Sequence, residues 1–172
     1  MKKIFLMAFV LPLVFSCGKE EKSNANTDII EYNETSTPEA SAPAAAQTTN
    51  HIVIKANDDM TFDKTAFTVK VGEEITLLLM NNGTMSKEAM GHNFILLKPG
   101  SDASAFANKA ASAKATDYIP TDLQSEIIAH TKLLGGREND QIKFTVDEGT
   151  YDFLCSFPGH FATMNGKIKA VK

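Results

Sequence analysis

Alternating apolar and polar positions predict short β-strands from about residue 51 to the C-terminus. Phe67, Val69 and Val71 alternate with polar residues before Gly72, which is the period-two pattern of a strand with one buried face. The predicted strands, each bounded by turn-forming residues, are Ile52–Ile54, Phe67–Val71, Ile75–Met80, Asn93–Leu97, Ile127–Leu134, Ile142–Val146, Tyr151–Cys155 and Ile168–Lys172. Several short strands separated by turns predict an all-β domain, either a sandwich or a barrel.

One segment, residues 101–120, departs from this pattern. Ser101 can cap a helix, and Asp102 favours a helical first turn. Ala103–Ala115 is rich in alanine and other helix-forming residues, and Pro120 stops any continuation. The segment therefore predicts a helical insertion between two strands.

The N-terminus has the anatomy of an export signal. Lys2 and Lys3 precede the apolar run Ile4–Phe15, which is too short to span a membrane, since that takes roughly 20 apolar residues. Ser16-Cys17 at the end of the run resembles a bacterial lipoprotein signal, so we expect a signal peptide over residues 1–16 and a lipid on Cys17. The alternative is an ordinary signal cleaved elsewhere, with Cys17 incidental. Both alternatives predict an exported protein, periplasmic or at the cell surface.

Residues 17–50 differ in composition from the rest of the chain. They are rich in Ser, Thr, Ala, Pro and Asn, and residues 18–50 carry two Lys against six acidic residues. Such a segment buries too little apolar surface to offset its conformational entropy, so we expect a disordered acidic tether. The folded domain is then predicted to occupy residues 51–172, joined through the tether to a membrane anchor at Cys17.

Composition narrows the classes of function. The 172 residues hold 17 Lys+Arg against 21 Asp+Glu, and a net charge of -4 argues against a nucleic-acid partner, which needs a basic surface. Hydrophobic residues make up 43% of the chain, which is enough for a packed core. There are two cysteines, Cys17 and Cys155, one near each end, so no disulfide framework is expected.

The candidate chemistry lies near the C-terminus. Cys155, His160 and Met164 fall within ten residues, and His92 precedes another predicted strand. A thiolate, two imidazoles and a distant thioether form the ligand set of a blue-copper electron-transfer site, because soft sulfur ligands suit Cu(I) and imidazole suits both oxidation states. The same set of residues fits zinc less well than copper, since structural zinc sites rarely include Met.

Each of these residues also has an ordinary structural explanation. A lone Cys in a strand is often a small buried hydrophobic residue, and Met commonly fills gaps in a core. A lone His is usually structural or exposed, as we expect for His51 and His130. The joint spacing of the Cys, His and Met residues favours the metal site.

Four segments resemble the azurins, small blue copper proteins of the cupredoxin superfamily, and together the resemblance covers residues 51–172. The segments are Asn57–Phe62, Met90–Phe94, Ile128–Gly136 and Tyr151–Lys167. The spacing Cys-x4-His-x3-Met is that of azurins. The resemblance implies an all-β, cupredoxin-like Greek-key β-sandwich of about eight strands, with a helical flap around residues 101–120.

The resemblance also implies the roles of particular residues. His92, Cys155 and His160 would be equatorial ligands of one Cu(I)/Cu(II) ion, Met164 a weak axial ligand, and the Gly91 carbonyl would approach from the opposite side.

Other residues would act around the metal. Asn93 would tie the two ligand loops together and hydrogen-bond the Cys155 sulfur, and Phe157 would shield the site. Electrons would pass through the exposed edge of His160 within an apolar patch. The patch members, besides Phe157, are Met60, Met90, Pro158 and Phe161.

Two features depart from the azurin pattern. Many azurins carry a disulfide at the base of the sandwich, and no cysteine pair is available for one in this chain. Phe94 stands where azurins often carry Trp, and the chain has no Trp.

Three functions are compatible with the sequence. The first is a one-electron carrier, not an enzyme, that exchanges electrons with a cytochrome, oxidase, reductase or peroxidase, as a monomer or in transient complexes. The second is an envelope protein that binds or delivers copper with the same ligands. The third is a metal-free adhesion-type sandwich on a lipoprotein stalk.

Overall fold

The computed structural model describes residues 48–172, so the predicted signal peptide, Cys17 and nearly all of the predicted tether lie outside the described residues. Within that range the chain forms eight strands and two short α-helices. They are β1 His51–Ala56, β2 Ala66–Lys70, β3 Ile75–Asn81, α1 Lys87–Met90, β4 Ile95–Leu97, α2 Ala103–Ala110, β5 Ile127–His130, β6 Asn139–Phe144, β7 Gly149–Leu154 and β8 Asn165–Val171. None of the helices in the described part of the chain has the length and apolar character needed to cross a membrane.

The strands form two sheets. The three-stranded sheet has the order β1-β3-β6, and the five-stranded sheet has the order β2-β8-β7-β4-β5. Two neighbouring pairs, β1 with β3 and β2 with β8, are parallel, and the other pairs are antiparallel. The prediction of an all-β sandwich with about eight strands is confirmed.

The core between the sheets is built from alternate residues of the strands. β3 buries every second residue, as a strand does when one face meets the core. The Phe153 ring on β7 packs among three other rings, with centroid distances of 5.1 Å to Phe94, 5.9 Å to Phe62 and 6.0 Å to Phe67. Phe94 is fully buried, so the core position without a Trp is filled by this aromatic cluster.

A second apolar cluster lies on the other face of the five-stranded sheet. Leu96 of β4 points into the main core, whereas Ile95 and Leu97 pack with Phe106 and Ala110 of α2. β4 is therefore buried on both faces, which explains why its sequence is continuously apolar instead of alternating. The helical flap predicted around residues 101–120 is this covering element.

The flap helix is shorter than the sequence predicts. It ends at Ala110 rather than Ala115, and its N-cap is Asp102, not Ser101, since the Asp102 side chain accepts from the Ala105 N–H at 2.9 Å. Ala110 is buried in the second cluster, and the chain then turns so that Ile119 returns to it. Packing thus overrides the helix propensity of the following alanines.

Two predicted strands are also shorter than expected. β4 begins at Ile95 instead of Asn93, and β5 ends at His130 instead of Leu134. A side-chain contact interrupts the pairing of the two strands at this point. The Phe94 N–H donates to the Thr131 hydroxyl at 3.0 Å and not to a backbone carbonyl of the neighbouring strand. At the N-terminal end, Thr48 already pairs with Thr68, three residues before the predicted domain start.

Candidate metal centre

Three buried side chains from distant parts of the chain converge at one end of the sandwich. The ligand atoms of His92, Cys155 and His160 all lie within 4.8 Å of one another. His92 and Cys155 are 0% exposed and His160 is 2% exposed. A cluster this enclosed is unusual for polar groups, which are rarely buried without a partner.

The backbone holds His92 between α1 and β4. Its N–H donates to the Leu134 carbonyl at 3.0 Å and its carbonyl accepts from the Leu134 N–H at 2.8 Å. Gly91 precedes it in a tight space, because a Cβ there would lie 2.6 Å from the Lys87 carbonyl oxygen. Only glycine lets the backbone at residue 91 come this close to Lys87, and this close packing holds the backbone that carries His92 in place.

The tautomer of His92 follows from its surroundings. Its Nε2 lies 2.9 Å from the Asn57 carbonyl oxygen, which can only accept, so Nε2 carries the hydrogen. Nδ1 is then an unprotonated acceptor, and it is the only buried side-chain nitrogen or oxygen in residues 48–172 without a hydrogen-bond partner. Its free lone pair belongs to the same cluster as the Cys155 sulfur and His160.

The other three candidate ligands lie on one loop after β7. The Cys155 N–H donates to the Met164 carbonyl at 2.9 Å, which closes the base of the loop. Gly159 adopts a φ of 83°, a left-handed conformation that favours glycine, and it precedes a 3₁₀ turn over His160–Ala162. Cys155 Sγ lies 3.7 Å from His160 Nδ1, and Met164 is fully buried.

Asn93 joins the two ligand-bearing segments. Its side-chain Nδ2 donates to the Ser156 hydroxyl and its Oδ1 accepts from the Ser156 N–H, both at 2.8 Å. Both residues are buried, so each polar group depends on the other. The segment after His92 is thereby fixed to the segment after Cys155.

Burial keeps all the titratable groups of the cluster neutral near pH 7. It raises the pKa of the Cys155 thiol to about 11, although the backbone N–H groups of Asn93 and Phe157 lower it. Burial and, to a lesser extent, the nearby His92 lower the pKa of His160 to about 4. The pKa of His92 is also lowered by burial, against opposing effects of the Asn57 carbonyl and Asp58.

These residues fit a copper ion. The cluster offers two neutral imidazole nitrogens and a sulfur, with the buried thioether residue Met164 on the same loop. The unpartnered Nδ1 of His92 costs free energy unless something binds it, and a metal ion would do so. The donor set matches the soft and borderline ligands that copper prefers in electron-transfer sites.

The residues of the expected apolar patch are all at least partly exposed. Met60 is 39% exposed, and Met90, Phe157, Pro158 and Phe161 are half-buried. His160 itself is nearly covered, so only a small part of its ring reaches solvent. Phe161 also packs against the second apolar cluster, which limits the part of its side chain that faces outward.

Phe157 links the cluster to the flap through ring contacts. Its centroid lies 4.6 Å from that of His160 and 4.9 Å from that of Tyr118, which meets it edge-on. Tyr118 is buried and has a φ of 62°, in the segment that follows α2. Phe157 therefore lies between the His160 ring and the flap residue Tyr118.

Sequence reasoning assigned no role to four residues that the structure places at the site: Asn57, Tyr118, Ser156 and Thr163. The run Asn57-Asp58-Asp59 signals a turn, since Asn and Asp side chains bond to the backbone two residues on. No local pattern marks the other three, because their contacts join distant segments. His51 and His130, expected to be structural or exposed, are both exposed, and Cys155 is a free buried thiol.

Comparison with known proteins identifies the family. Residues 48–171 match the family described as copper binding proteins, plastocyanin/azurin family. The chain is 39% identical over 123 residues to azurin-1 of Alcaligenes xylosoxydans xylosoxydans, covering 69% of this chain and 95% of that protein. It is 38% identical over 124 residues to outer membrane protein H.8 of Neisseria gonorrhoeae, covering 69% of this chain and 66% of that protein.

A solved structure agrees with these relationships. Dithionite-reduced auracyanin of the photosynthetic bacterium Roseiflexus castenholzii superposes with a TM-score of 0.65 at 34% identity, covering 73% of this chain and all of that one. The resemblance to azurins, the cupredoxin fold and copper as the cofactor are therefore confirmed. The chain belongs to the plastocyanin/azurin family of copper-binding proteins.

Proposed function

We propose that this protein is a one-electron carrier of the bacterial cell envelope, with a type 1 copper ion held by His92, Cys155 and His160. Met164 and the Gly91 carbonyl would complete the set of protein groups around the metal. The observation that carries the proposal is the closed, buried cluster in which His92 Nδ1 has no partner. Bound copper would supply a one-electron couple between Cu(I) and Cu(II).

The protein residues would hold the site ready for both oxidation states. The Asn57 carbonyl fixes the His92 tautomer, and the Asn93–Ser156 pair fixes the separation of the two loops. Because these contacts join protein groups to one another, they do not depend on the charge of the metal, and little rearrangement would be needed when that charge changes. Hydrogen bonds to the ligands also tune the properties of a metal site.

The apolar surface over the cluster supports transient docking of redox proteins. Such a partner would be a cytochrome, oxidase, reductase or peroxidase, meeting the patch formed by Met60, Met90, Phe157, Pro158 and Phe161. Small interfaces without strong charge release quickly, as an electron carrier requires. The cluster is enclosed by buried side chains and offers no open position for a substrate, which supports a carrier rather than an enzyme.

An anchored location fits the N-terminal sequence. We propose a signal peptide over residues 1–16, a lipid on Cys17, a tether over residues 17–50 and the copper domain over residues 51–172. Similarity to a protein described as an outer membrane protein supports an envelope location. Detergent-phase partitioning of the exported protein, lost on Cys17→Ser, tests the anchor.

Copper titration tests the proposed ligands. Cu(II) added to the metal-free protein should give an intense blue thiolate-to-copper absorption band with one equivalent of metal. Cys155→Ser should abolish the band, whereas the matched control Cys17→Ser should keep it. A colourless product from the unaltered chain would contradict the proposal.

A second measurement separates a carrier from a copper-delivery protein. The carrier should complete repeated cycles with ferricyanide and ascorbate while its copper content stays constant. Transfer of the copper to a metal-free acceptor protein during those cycles would instead favour delivery.

A further inference from the structure

The turn between β1 and β2, residues 57–61, contacts both ligand-bearing segments at once. On one side, the Asn57 carbonyl accepts from His92 Nε2 at 2.9 Å. On the other side, the Met60 carbonyl accepts from the Thr163 hydroxyl at 2.5 Å. A single short turn therefore connects the segment of His92 with the loop that carries His160 and Met164.

The turn has its own internal bracing. The Asn57 side-chain Oδ1 accepts from the Asp59 N–H at 3.0 Å and from the Thr61 hydroxyl at 3.3 Å. The Asn57 carbonyl that holds His92 also accepts from the Met60 N–H at 3.2 Å. These bonds hold the carbonyls of Asn57 and Met60 in one locally braced turn.

Asp58 anchors the same turn to the loop before α1. Its carboxylate accepts from the Thr84 N–H at 2.9 Å and from the Thr84 hydroxyl at 3.1 Å. A Cβ on Gly83 would lie 2.1 Å from Asp58 Oδ1, so the two segments are in close contact. The turn is thus fixed to its own surroundings as well as to the ligand-bearing segments.

Met60 adopts a conformation that needs support from outside. Its φ is 56°, in the left-handed region that residues with a side chain rarely adopt. Such conformations persist when neighbouring contacts over-determine them. The Thr163 hydroxyl supplies one such contact, and it accounts for the direction of the Met60 carbonyl.

Thr163 lies between two proposed ligands. Its N–H and that of Met164 both donate to the His160 carbonyl, at 3.1 Å and 2.8 Å. The Thr163 side chain is exposed, so water could satisfy its hydroxyl equally well. The bond from the Thr163 hydroxyl to the Met60 carbonyl therefore fixes the part of the loop around Thr163 against residues 57–61.

We propose that the 57–61 turn is a clamp that holds the two ligand-bearing segments in one relative position, and that Thr163 is the positioning residue that closes it. The proposal rests on the proposed copper ligands, because its functional consequence is the placement of His160 and Met164 relative to His92. It also implies that the exposed Met60 side chain is held in place where a redox partner would dock.

Two substitutions at one position test the clamp. Thr163→Val keeps the shape of the side chain and removes the donor, whereas Thr163→Ser keeps the hydroxyl. In the copper-free, full-length protein, hydrogen exchange of the Met60 amide should become about fivefold faster in Thr163→Val, the factor expected for one ordinary hydrogen bond. Thr163→Ser should exchange at the original rate.

The copper-loaded protein provides the functional measurement. Thr163→Val should change the relative intensities of the visible copper bands and shift the reduction potential, and Thr163→Ser should restore both. Unchanged Met60 exchange in Thr163→Val, or equal effects of the two substitutions, would overturn the clamp. Failure of the unaltered protein to bind copper would refute the proposed function instead, while the exchange result would still decide whether the clamp exists.

Discussion

Copper binding at pH 7 should release one proton per metal ion, and that proton should come from Cys155. Burial raises the pKa of the Cys155 thiol to about 11 and lowers the pKa of His160 to about 4. The pKa of His92 is also lowered by burial. At pH 7 both imidazoles are therefore neutral, and the thiol alone carries a proton that a metal must displace.

The size of the effect follows from these values. Metals bind the thiolate, so a proton is lost on binding and the apparent affinity depends on pH. Ionising a thiol of pKa about 11 at pH 7 costs about 5 kcal/mol, which the copper–sulfur bond must offset. With one proton released, the affinity should rise about tenfold per pH unit, or about a hundredfold from pH 6 to pH 8.

Titration calorimetry in several buffers measures the proton directly. At pH 7 the binding heat should vary linearly with the ionisation enthalpy of the buffer, with a slope of one proton per copper. The matched controls are two cysteine substitutions. Cys17→Ser should keep the slope of one, and Cys155→Ser should bring it to zero.

Two results would refute the reasoning. A slope of zero in the unaltered protein would mean that the thiol is already ionised without metal, or that Cys155 does not bind copper. A slope of two would mean that one of the buried histidines, His92 or His160, carries a proton at pH 7, contrary to the direction of its pKa shift.

Three further predictions concern stability, each measured by urea unfolding of the copper-free protein. Asn93→Ala should lower the free energy of unfolding by about 2–4 kcal/mol because it leaves the buried N–H and hydroxyl of Ser156 without their partner, and Ser156→Ala, which removes only the hydroxyl bond, should lower it less; equal losses would contradict two separate bonds. Phe153→Ala should cost about 3–5 kcal/mol by opening a cavity among three rings, whereas the exposed control Val53→Ala should change stability little; similar losses would argue against the aromatic core. Stability should fall as the pH drops from about 6.5 towards about 4, because His160 takes up a proton more readily in the unfolded chain, and a flat profile over that range would contradict the lowered pKa.

The fold could be predicted where the signal is local. Alternation along β2 marks a strand with one buried face, and the continuous apolar run of β3 marks a second strand; the structure places both at those positions. The alanine-rich segment predicts a helix, but α2 ends five residues early because the packing of Ala110 and the return of Ile119 decide where the chain turns. Propensity is a weak guide once tertiary contacts compete with it.

In the candidate site, too, only the residues that are close in sequence could be grouped from a local pattern. Cys155, His160 and Met164 are close in sequence, so their spacing alone raises the possibility of a metal loop. His92 lies more than sixty residues earlier, so its residue type and the resemblance to azurins, and not local spacing, joined it to them. The structure brings His92 to that loop and places the candidate ligand atoms of His92, Cys155 and His160 in one buried cluster.

The sequence by itself determined the types of ligand, their spacing on the last loop and the alternation that builds the sheets. Only the tertiary structure decided the protonation of the ligands and the contacts that position them. The Asn93–Ser156 pair joins residues 63 positions apart, and the Thr163–Met60 bond joins residues 103 positions apart. The physical reason is that burial, hydrogen-bond partners and pKa shifts depend on which atoms surround a group, and most of those atoms come from distant parts of the chain.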